Sequence, residues 1–186
     1  MNENLSLGRI AGIHVGLNWS LLVVAALIAW SLATGILPPA APGEASAAYW
    51  TAGVVSALVF LASLLAHELA HSIVAARRGV RVEGITLWLF GGVSKLGGDA
   101  GTPAIEATVA IVGPLTSLSV AVVVALVGLA VGAAGAPAIL VAGLCWLAGI
   151  NVALGLFNLV PGFPLDGGRL LRALLWRWRG DRVRAT

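Results

Sequence analysis

Residues 49–76 read YWTAGVVSALVFLASLLAHELAHSIVAA, and this apolar run sets the architecture of the whole chain. As an α-helix the run is about 42 Å long, enough to cross a hydrocarbon core of roughly 30 Å. Near its end it contains three ionisable side chains: His67, Glu68 and His71. An ionisable residue inside a span costs on the order of 2.5–3.5 kcal/mol on insertion scales, so it is rare unless it has a function. We therefore predict a membrane helix that carries a functional site.

The overall composition agrees with a membrane environment. Of the 186 residues, 59% are hydrophobic and 10% are charged, and the mean hydropathy is +0.99. Lipid rather than water must solvate such a chain, which excludes a soluble domain. Because no polar block is long enough to fold separately, we expect a single membrane-embedded domain over residues 1–186.

Four apolar segments are long enough to span, at 17–37, 49–76, 104–133 and 138–160. The first is longer than the apolar core of a signal peptide, so we expect it to remain a membrane helix. The fold class that follows is an α-helical integral membrane protein with about four transmembrane helices. The single cysteine, Cys145, lies in the fourth segment, so no disulfide within the chain contributes.

The basic residues predict the orientation. All eleven Lys and Arg precede the first span, lie between the second and third, or follow the fourth. The positive-inside rule then places both termini and the second loop in the cytoplasm, as an even number of spans requires. Topology and anionic lipid headgroups thus explain the sequence pI near 10.0, and no nucleic-acid partner is expected.

The pattern His67-Glu68-Leu69-Ala70-His71 is a HExxH zinc signature. Residues four apart in a helix are separated by about 40° of rotation, so both imidazoles can reach one metal ion. Glu68 is turned about 100° from His67, where it can act on a water molecule. With the interface at Arg77, the site lies roughly 9 to 15 Å deep on the cytoplasmic side. The alternative is that the three side chains only hydrogen-bond to neighbouring helices.

Zinc hydrolases generally use three protein ligands, so a third ligand is expected outside this helix. His14 precedes the first span and is more typical of an ordinary interface residue. Glu106 opens the third span, where it suits the helix dipole better than a metal. Asp166 is the better candidate, because it lies in NLVPGFPLDGG (158–168), whose prolines and glycines break the helix. Irregular backbone is tolerated at membrane depth where it lines a cavity, and it could turn a carboxylate back toward the histidines.

The HExxH pattern followed by FNLVPGFPLDGG (157–168) resembles the site-2 protease family of intramembrane zinc metalloproteases. The similarity extends to Gly113-Pro114 and to Phe90-Gly91-Gly92, so it covers nearly all of the chain beyond Tyr49. The resemblance implies a catalytic core at about 49–172. It also implies cleavage of a peptide bond in or near the transmembrane helix of a substrate protein.

The same resemblance implies particular residue roles. One zinc ion is held by His67, His71 and Asp166, with Glu68 as the general base. On ligand type, iron or cobalt could occupy the same site in vitro. Asn158 matches an asparagine that contacts substrate or the developing oxyanion, and its alternative role is a polar link between helices.

The segment 82–93 is apolar, β-prone and too short to cross the bilayer, so we predict a re-entrant hairpin or strand pair. In similar proteases this region supplies an edge strand, which makes Gly91 and Gly92 candidate substrate-binding positions through β-addition. The alternative is a packing loop that shields the site. After Gly168, the basic amphipathic stretch 169–179 predicts a helix at the cytoplasmic interface.

The stretch GIHVGLNWS (12–20) is similar to the family branch whose members carry further spans and CBS domains. Because the sequence shows neither CBS nor PDZ domains, we interpret it as a truncated core rather than a naturally minimal protease. Expected partners are the lipid bilayer of a prokaryotic cell membrane and a single-span substrate, such as a membrane-bound anti-sigma factor or a signal-peptide remnant. A metal transporter and a catalytically silent helix-binding relative are the alternative functions.

Overall fold

A computed structural model of the protein describes residues 4–88, 91–96 and 101–180. Within these ranges four helices are long and apolar enough to cross a membrane, which confirms the predicted number of spans. The observed ends differ from the predicted ones by three residues or fewer. The four helices are Ser20–Ala40, Ser46–Arg77, Pro103–Ala133 and Ala138–Asn158.

The first span is continuous but not uniform. Helix α1 (Ser20–Ser31) passes through a π-helical turn (Leu32–Ile36) into the short α2 (Leu37–Ala40), which contains two prolines. The Tyr49 hydroxyl then donates a hydrogen bond to the Ala41 carbonyl at 2.7 Å. This bond ties the end of the first span to the start of α3 (Ser46–Arg77).

Helices α4 (Pro103–Ala133) and α5 (Ala138–Asn158) pack closely through small residues. A Cβ added at Gly155 of α5 would lie 2.9 Å from Leu118 Cγ, and one added at Gly128 of α4 would lie 3.4 Å from Leu144 Cβ. Large apolar side chains point away from these contacts, as expected of helices solvated by lipid. Examples with more than half of their surface exposed are Leu126 and Leu129 of α4 and Leu156 of α5.

Four strands form one mixed sheet in chain order: β1 (Leu5–Ile10), β2 (Ile13–Leu17), β3 (Val82–Trp88) and β4 (Gly91–Leu96). β1 and β2 are antiparallel, β2 and β3 are parallel, and β3 and β4 are antiparallel. The predicted strand pair at 82–93 is therefore confirmed as β3 and β4. The expectation was incomplete, because it omitted the N-terminal hairpin and its parallel pairing with β3. That the pair is re-entrant stays a prediction.

The sheet packs on α3. Its buried core residues Ile13, Ile85 and Leu87 contact Leu65 and Leu69 of that helix. Leu69 lies within the HExxH pattern, between His67 and His71. The contacts that attach the sheet to α3 therefore hold it at the level of the two histidines along the helix. The strand pair is thus attached to the helix that carries the functional site.

The chain ends its described part with α6 (Asp166–Arg179), which confirms the predicted C-terminal helix. The helix begins at Asp166, three residues before the predicted start. Its end is marked by Gly180, whose φ of 71° is a left-handed conformation suited to glycine. Helix α6 packs against α4. Its location at the membrane interface stays a prediction.

Candidate metal centre

His67 and His71 lie on the same buried face of α3, with 2% and 4% of their surfaces exposed. Their Nε2 atoms are 3.2 Å apart. One helical turn separates the two residues, which places their rings side by side without any distortion of the helix. The geometry predicted for the HExxH pattern is the geometry observed.

Asp166 completes the group although it is far away in the chain. Its Oδ2 atom lies 3.2 Å from His67 Nε2 and 3.0 Å from His71 Nε2. The carboxylate reaches this position because the backbone between α5 and α6 bends before α6 begins. Gly167 and Gly168 permit the bend: a Cβ at Gly168 would lie 2.6 Å from the Gly162 carbonyl oxygen, and one at Gly167 would overlap the Leu159 carbonyl.

The three ligand atoms fit a zinc ion. Ligands about 2.0–2.1 Å from a tetrahedral zinc lie about 3.3 Å from one another, close to the observed spacings. Among the described residues, His67, His71 and Asp166 are the group of His, Cys, Asp or Glu side chains that could hold a metal ion. Two imidazoles and one carboxylate are a common donor set of catalytic zinc sites, which keep a fourth position open.

The carboxylate of Asp166 is held in its charged form. Burial raises its pKa, but the hydrogen bonds from His67 and His71 lower it by more, so the pKa falls from 3.8 to about 2. Asp166 is therefore ionised at neutral pH and available as a metal ligand without first losing a proton.

Helix α4 holds the outer nitrogens of both imidazoles. His71 Nδ1 lies 2.6 Å from the Val109 carbonyl oxygen, and His67 Nδ1 lies 2.9 Å from Ser117 Oγ. A carbonyl only accepts, so His71 Nδ1 donates to Val109. A metal ion that displaced the proton from Nε2 would find the Nε2 lone pair directed toward the metal position. Sequence reasoning did not find Val109 and Ser117; a serine within an apolar span was the available signal for one of them.

Gly113 lets α4 approach the site this closely. A Cβ at this position would lie 2.7 Å from His67 Nε2 and closer still to His71 Nε2. No side chain larger than hydrogen fits between α4 and the two imidazoles. The Gly113-Pro114 pair, noted in the sequence as part of a family resemblance, thus has a steric reason at its first position.

Glu68 lies beside β4. A Cβ added to Gly92 would lie 2.7 Å from Glu68 Oε1 and would overlap the rest of the carboxyl group. The backbone of β4 therefore passes directly against the carboxylate that follows His67 in the chain. Phe90, quoted with these glycines, lies outside the described residues.

The other candidates are not brought to the metal group. His14 lies in β2, opposite Arg9 in the β1 pairing. Glu106 is buried and paired with Arg172, so neither alternative third ligand joins His67 and His71. The Asn158 amide nitrogen donates to the Leu154 carbonyl of its own helix at 2.9 Å, and its substrate or oxyanion role stays a prediction.

This chain is similar to a peptidase family model and to individual proteins that are named zinc metalloproteases. The sequence model of peptidase family M50 matches residues 55–136 and 130–186. Rip3 of Mycobacterium tuberculosis, which is named a zinc metalloprotease, is 51% identical over 185 residues, covering 100% of this chain and 47% of Rip3. A Synechocystis protein that is also named a zinc metalloprotease is 37% identical over 184 residues. The match covers 98% of this chain and 47% of the Synechocystis protein.

A solved structure is also similar. The site-2 protease from Methanocaldococcus jannaschii superposes with a TM-score of 0.60 at 30% identity, covering 93% of this chain and 72% of that one. The chain spans about half the length of the curated relatives that it matches. The residues matched by the family model include His67, His71 and Asp166.

Proposed function

The chain belongs to peptidase family M50, and we propose that it is an intramembrane zinc endopeptidase that cleaves a peptide bond within or beside the transmembrane helix of a membrane protein. The observation that carries the proposal is the convergence of His67 and His71, which lie on one of the four long apolar helices, with Asp166 at the start of α6. Such a site suits a substrate that also lies in the membrane.

The proposed roles follow from the donor set and from the position of Glu68. His67, His71 and Asp166 would hold the zinc ion, which supplies Lewis-acid chemistry by acidifying water and polarising a carbonyl at the open position. The Glu68 carboxylate takes the proton of the attacking water as the C–O bond forms. It then gives that proton to the leaving amide nitrogen as the C–N bond breaks, so the carboxylate is regenerated.

We expect the purified chain, reconstituted in lipid vesicles, to cleave a single-span test protein into two fragments. Removal of the metal with a membrane-permeant chelator should stop cleavage, and added zinc should restore it. Mass spectrometry of the fragments locates the cut. A cut confined to a soluble loop far from the span, or cleavage that survives metal removal, would contradict the proposal.

Substrate binding by strand addition is proposed for β4. Within the described residues β4 is an edge strand of the sheet, and it pairs with β3 on one side. Its backbone at Gly92 passes against Glu68, so an extended segment added at its other edge would lie beside the base. Gly91 and Gly92 are the proposed contact positions, together with Asn158 at the end of α5.

Backbone methylation of the substrate tests strand addition without altering the protein. A peptide substrate with N-methyl groups at alternate residues around the cut loses the N–H groups that would pair with β4. We expect its KM to rise about tenfold or more, whereas methylation at the intervening residues has little effect. Equal effects at both sets of positions would contradict pairing along one edge.

We also propose that both termini and the active site lie toward the cytoplasm. Arg77 and Arg78 end α3, and α6 carries Arg177 and Arg179 in its last turn. Basic residues flanking spans favour the cytoplasmic side. In a Cys145→Ser background, a cysteine that replaces Gly180 should react with an impermeant thiol reagent only in inverted vesicles. Labelling only in right-side-out vesicles would reverse the orientation.

The substrate class is proposed from the sequence resemblance alone. A membrane-bound anti-sigma factor and a signal-peptide remnant both present a single span of the kind that such a site could accept. Reconstitution with one substrate of each kind separates the two, since only a true substrate should yield fragments that disappear when Glu68 is replaced by glutamine.

A further inference from the structure

An ion pair between a buried carboxylate and a partly exposed guanidinium joins α4 to α6. Arg172 Nε donates to Glu106 Oε1 at 2.9 Å, and Arg172 Nη2 donates to the same oxygen. The Glu106 side chain is 1% exposed and that of Arg172 is 31% exposed. Since the other oxygen, Glu106 Oε2, is buried and lacks a hydrogen-bond partner among the described residues, Arg172 is the partner that compensates this carboxylate.

Net stability is a poor explanation for this pair. A buried ion pair gains little over well-packed apolar side chains, because the charges must first leave water. What such a pair does provide is geometry, since a planar guanidinium fixes both distance and direction relative to a carboxylate. We therefore consider that the pair fixes the position of α6 relative to α4, rather than that it adds net stability.

The pair lies on the face of α4 that organises the metal group. Glu106 and Gly113 are seven residues apart, so they project within about 20° of each other along one side of the helix. The same side carries Ser117 and the Val109 carbonyl, which hold the two imidazoles. One surface of α4 thus contacts both histidines directly and reaches α6 through Glu106.

Two residues of α6, Asp166 and Arg172, contact two different helices. Asp166 and Arg172 are six residues apart, which is about 9 Å along the helix and about 120° around it. Asp166 points to the histidines of α3, and Arg172 points to Glu106 of α4. Two contacts at different heights and different angles fix both the axial position and the rotation of α6.

We propose that Glu106 and Arg172 are positioning residues that hold Asp166 in place as the third metal ligand. This inference rests on the proposed metal site. Helix α4 then aligns all three ligands: His67 through Ser117, His71 through the Val109 carbonyl, and Asp166 through the ion pair. Gly167 and Gly168 allow the backbone to bend, because a Cβ at either position would meet the backbone of residues 159–163. The ion pair adds a directed contact from α6 to α4.

Zinc affinity measured by competition with a chromophoric chelator tests the proposal in the full chain. Glu106→Gln and Arg172→Met should each weaken zinc binding about 10- to 100-fold, the range found for groups that orient metal ligands. Arg172→Lys keeps the charge and folds more readily, yet it loses the planar contact and should weaken binding by less. Arg177→Met is the matched control, because this exposed arginine lies on the same helix outside the pair.

A double-mutant cycle separates positioning from a general structural role. In an Asp166→Ala background the ion pair has no ligand to position, so adding Glu106→Gln should leave the remaining zinc affinity unchanged. The melting temperature of the metal-free protein is recorded for every variant. An equal loss of affinity with and without Asp166, or a lower melting temperature with wild-type affinity, would contradict the proposal.

The outcomes also distinguish this inference from the proposed function. Zinc bound equally by wild type and by Glu106→Gln would contradict the positioning role alone. A wild-type chain that bound no zinc would contradict the metal site and, with it, the role of the ion pair.

Discussion

Replacing Glu68 by glutamine is expected to abolish peptide-bond hydrolysis while the chain keeps its metal. A positioned general base contributes about 10²- to 10⁴-fold to a rate, and Glu68 serves both proton transfers in the proposed reaction. Glutamine has nearly the same shape, so it fits against Gly92 without disturbing β4. The measurement is the turnover rate of a single-span substrate in vesicles, with zinc content determined on the same samples.

Glu83→Gln is the matched control for this variant. Glu83 is an exposed residue of β3, so its replacement changes the net charge equally and should preserve turnover. A Glu68→Gln protein that kept more than a tenth of the wild-type rate would show that another group carries the proton. Loss of zinc from this variant would instead make Glu68 a metal ligand.

Asp166→Ala is expected to have the second large effect, on the metal itself. Groups that only orient metal ligands contribute about 10- to 100-fold to affinity, so loss of a ligand should exceed that range. Turnover should fall in parallel, since the remaining two imidazoles bind zinc more weakly and no longer fix its position. Zinc affinity and cleavage rate are measured at several zinc concentrations.

His14→Ala is the control for the Asp166 variant. His14 lies in β2 and does not belong to the group that could hold a metal ion, so its replacement should leave zinc affinity unchanged. The reverse result, with full affinity in Asp166→Ala and weakened affinity in His14→Ala, would exclude Asp166 as the third ligand.

The spans could be predicted from the sequence because apolar length alone determines whether a helix can cross a bilayer. The resemblance to the site-2 protease family is confirmed by the family match and by the structural similarity. The N-terminal hairpin of β1 and β2 could not be predicted in this way. β1 and β2 flank Ala11 and Gly12, which both adopt positive φ. Because alanine is not typical of such a turn, the local sequence did not indicate a hairpin there.

The parallel pairing of β2 with β3 could not be predicted from local pattern. The two strands are separated by the first span and by α3, and their pairing depends on where those helices place them. Short strands of five to seven residues also carry little periodicity. The sheet is therefore a consequence of tertiary packing rather than of sequence propensity.

At the site, the sequence indicated the residues that belong to a local pattern. It did not indicate the residues whose role depends on contacts between distant parts of the chain. The two histidines are four residues apart, and a broken helix marks Asp166. Ser117 is 50 residues from His67, and Arg172 is 66 residues from Glu106, so their pairing exists only after the helices pack. Glu106 lies in the first turn of α4, as the helix-dipole expectation requires, and the structure adds a guanidinium partner that the local sequence did not indicate.

X-ray absorption at the zinc edge of the zinc-loaded wild-type chain is the decisive measurement. Coordination by His67, His71 and Asp166 predicts two imidazole nitrogens at about 2.0–2.1 Å, with oxygen ligands at about 2.0–2.2 Å and no sulfur. Asp166→Ala should keep both imidazoles and lose an oxygen contribution. A third imidazole or a sulfur ligand in the wild-type spectrum, or a spectrum unchanged by Asp166→Ala, would contradict the proposed metal centre.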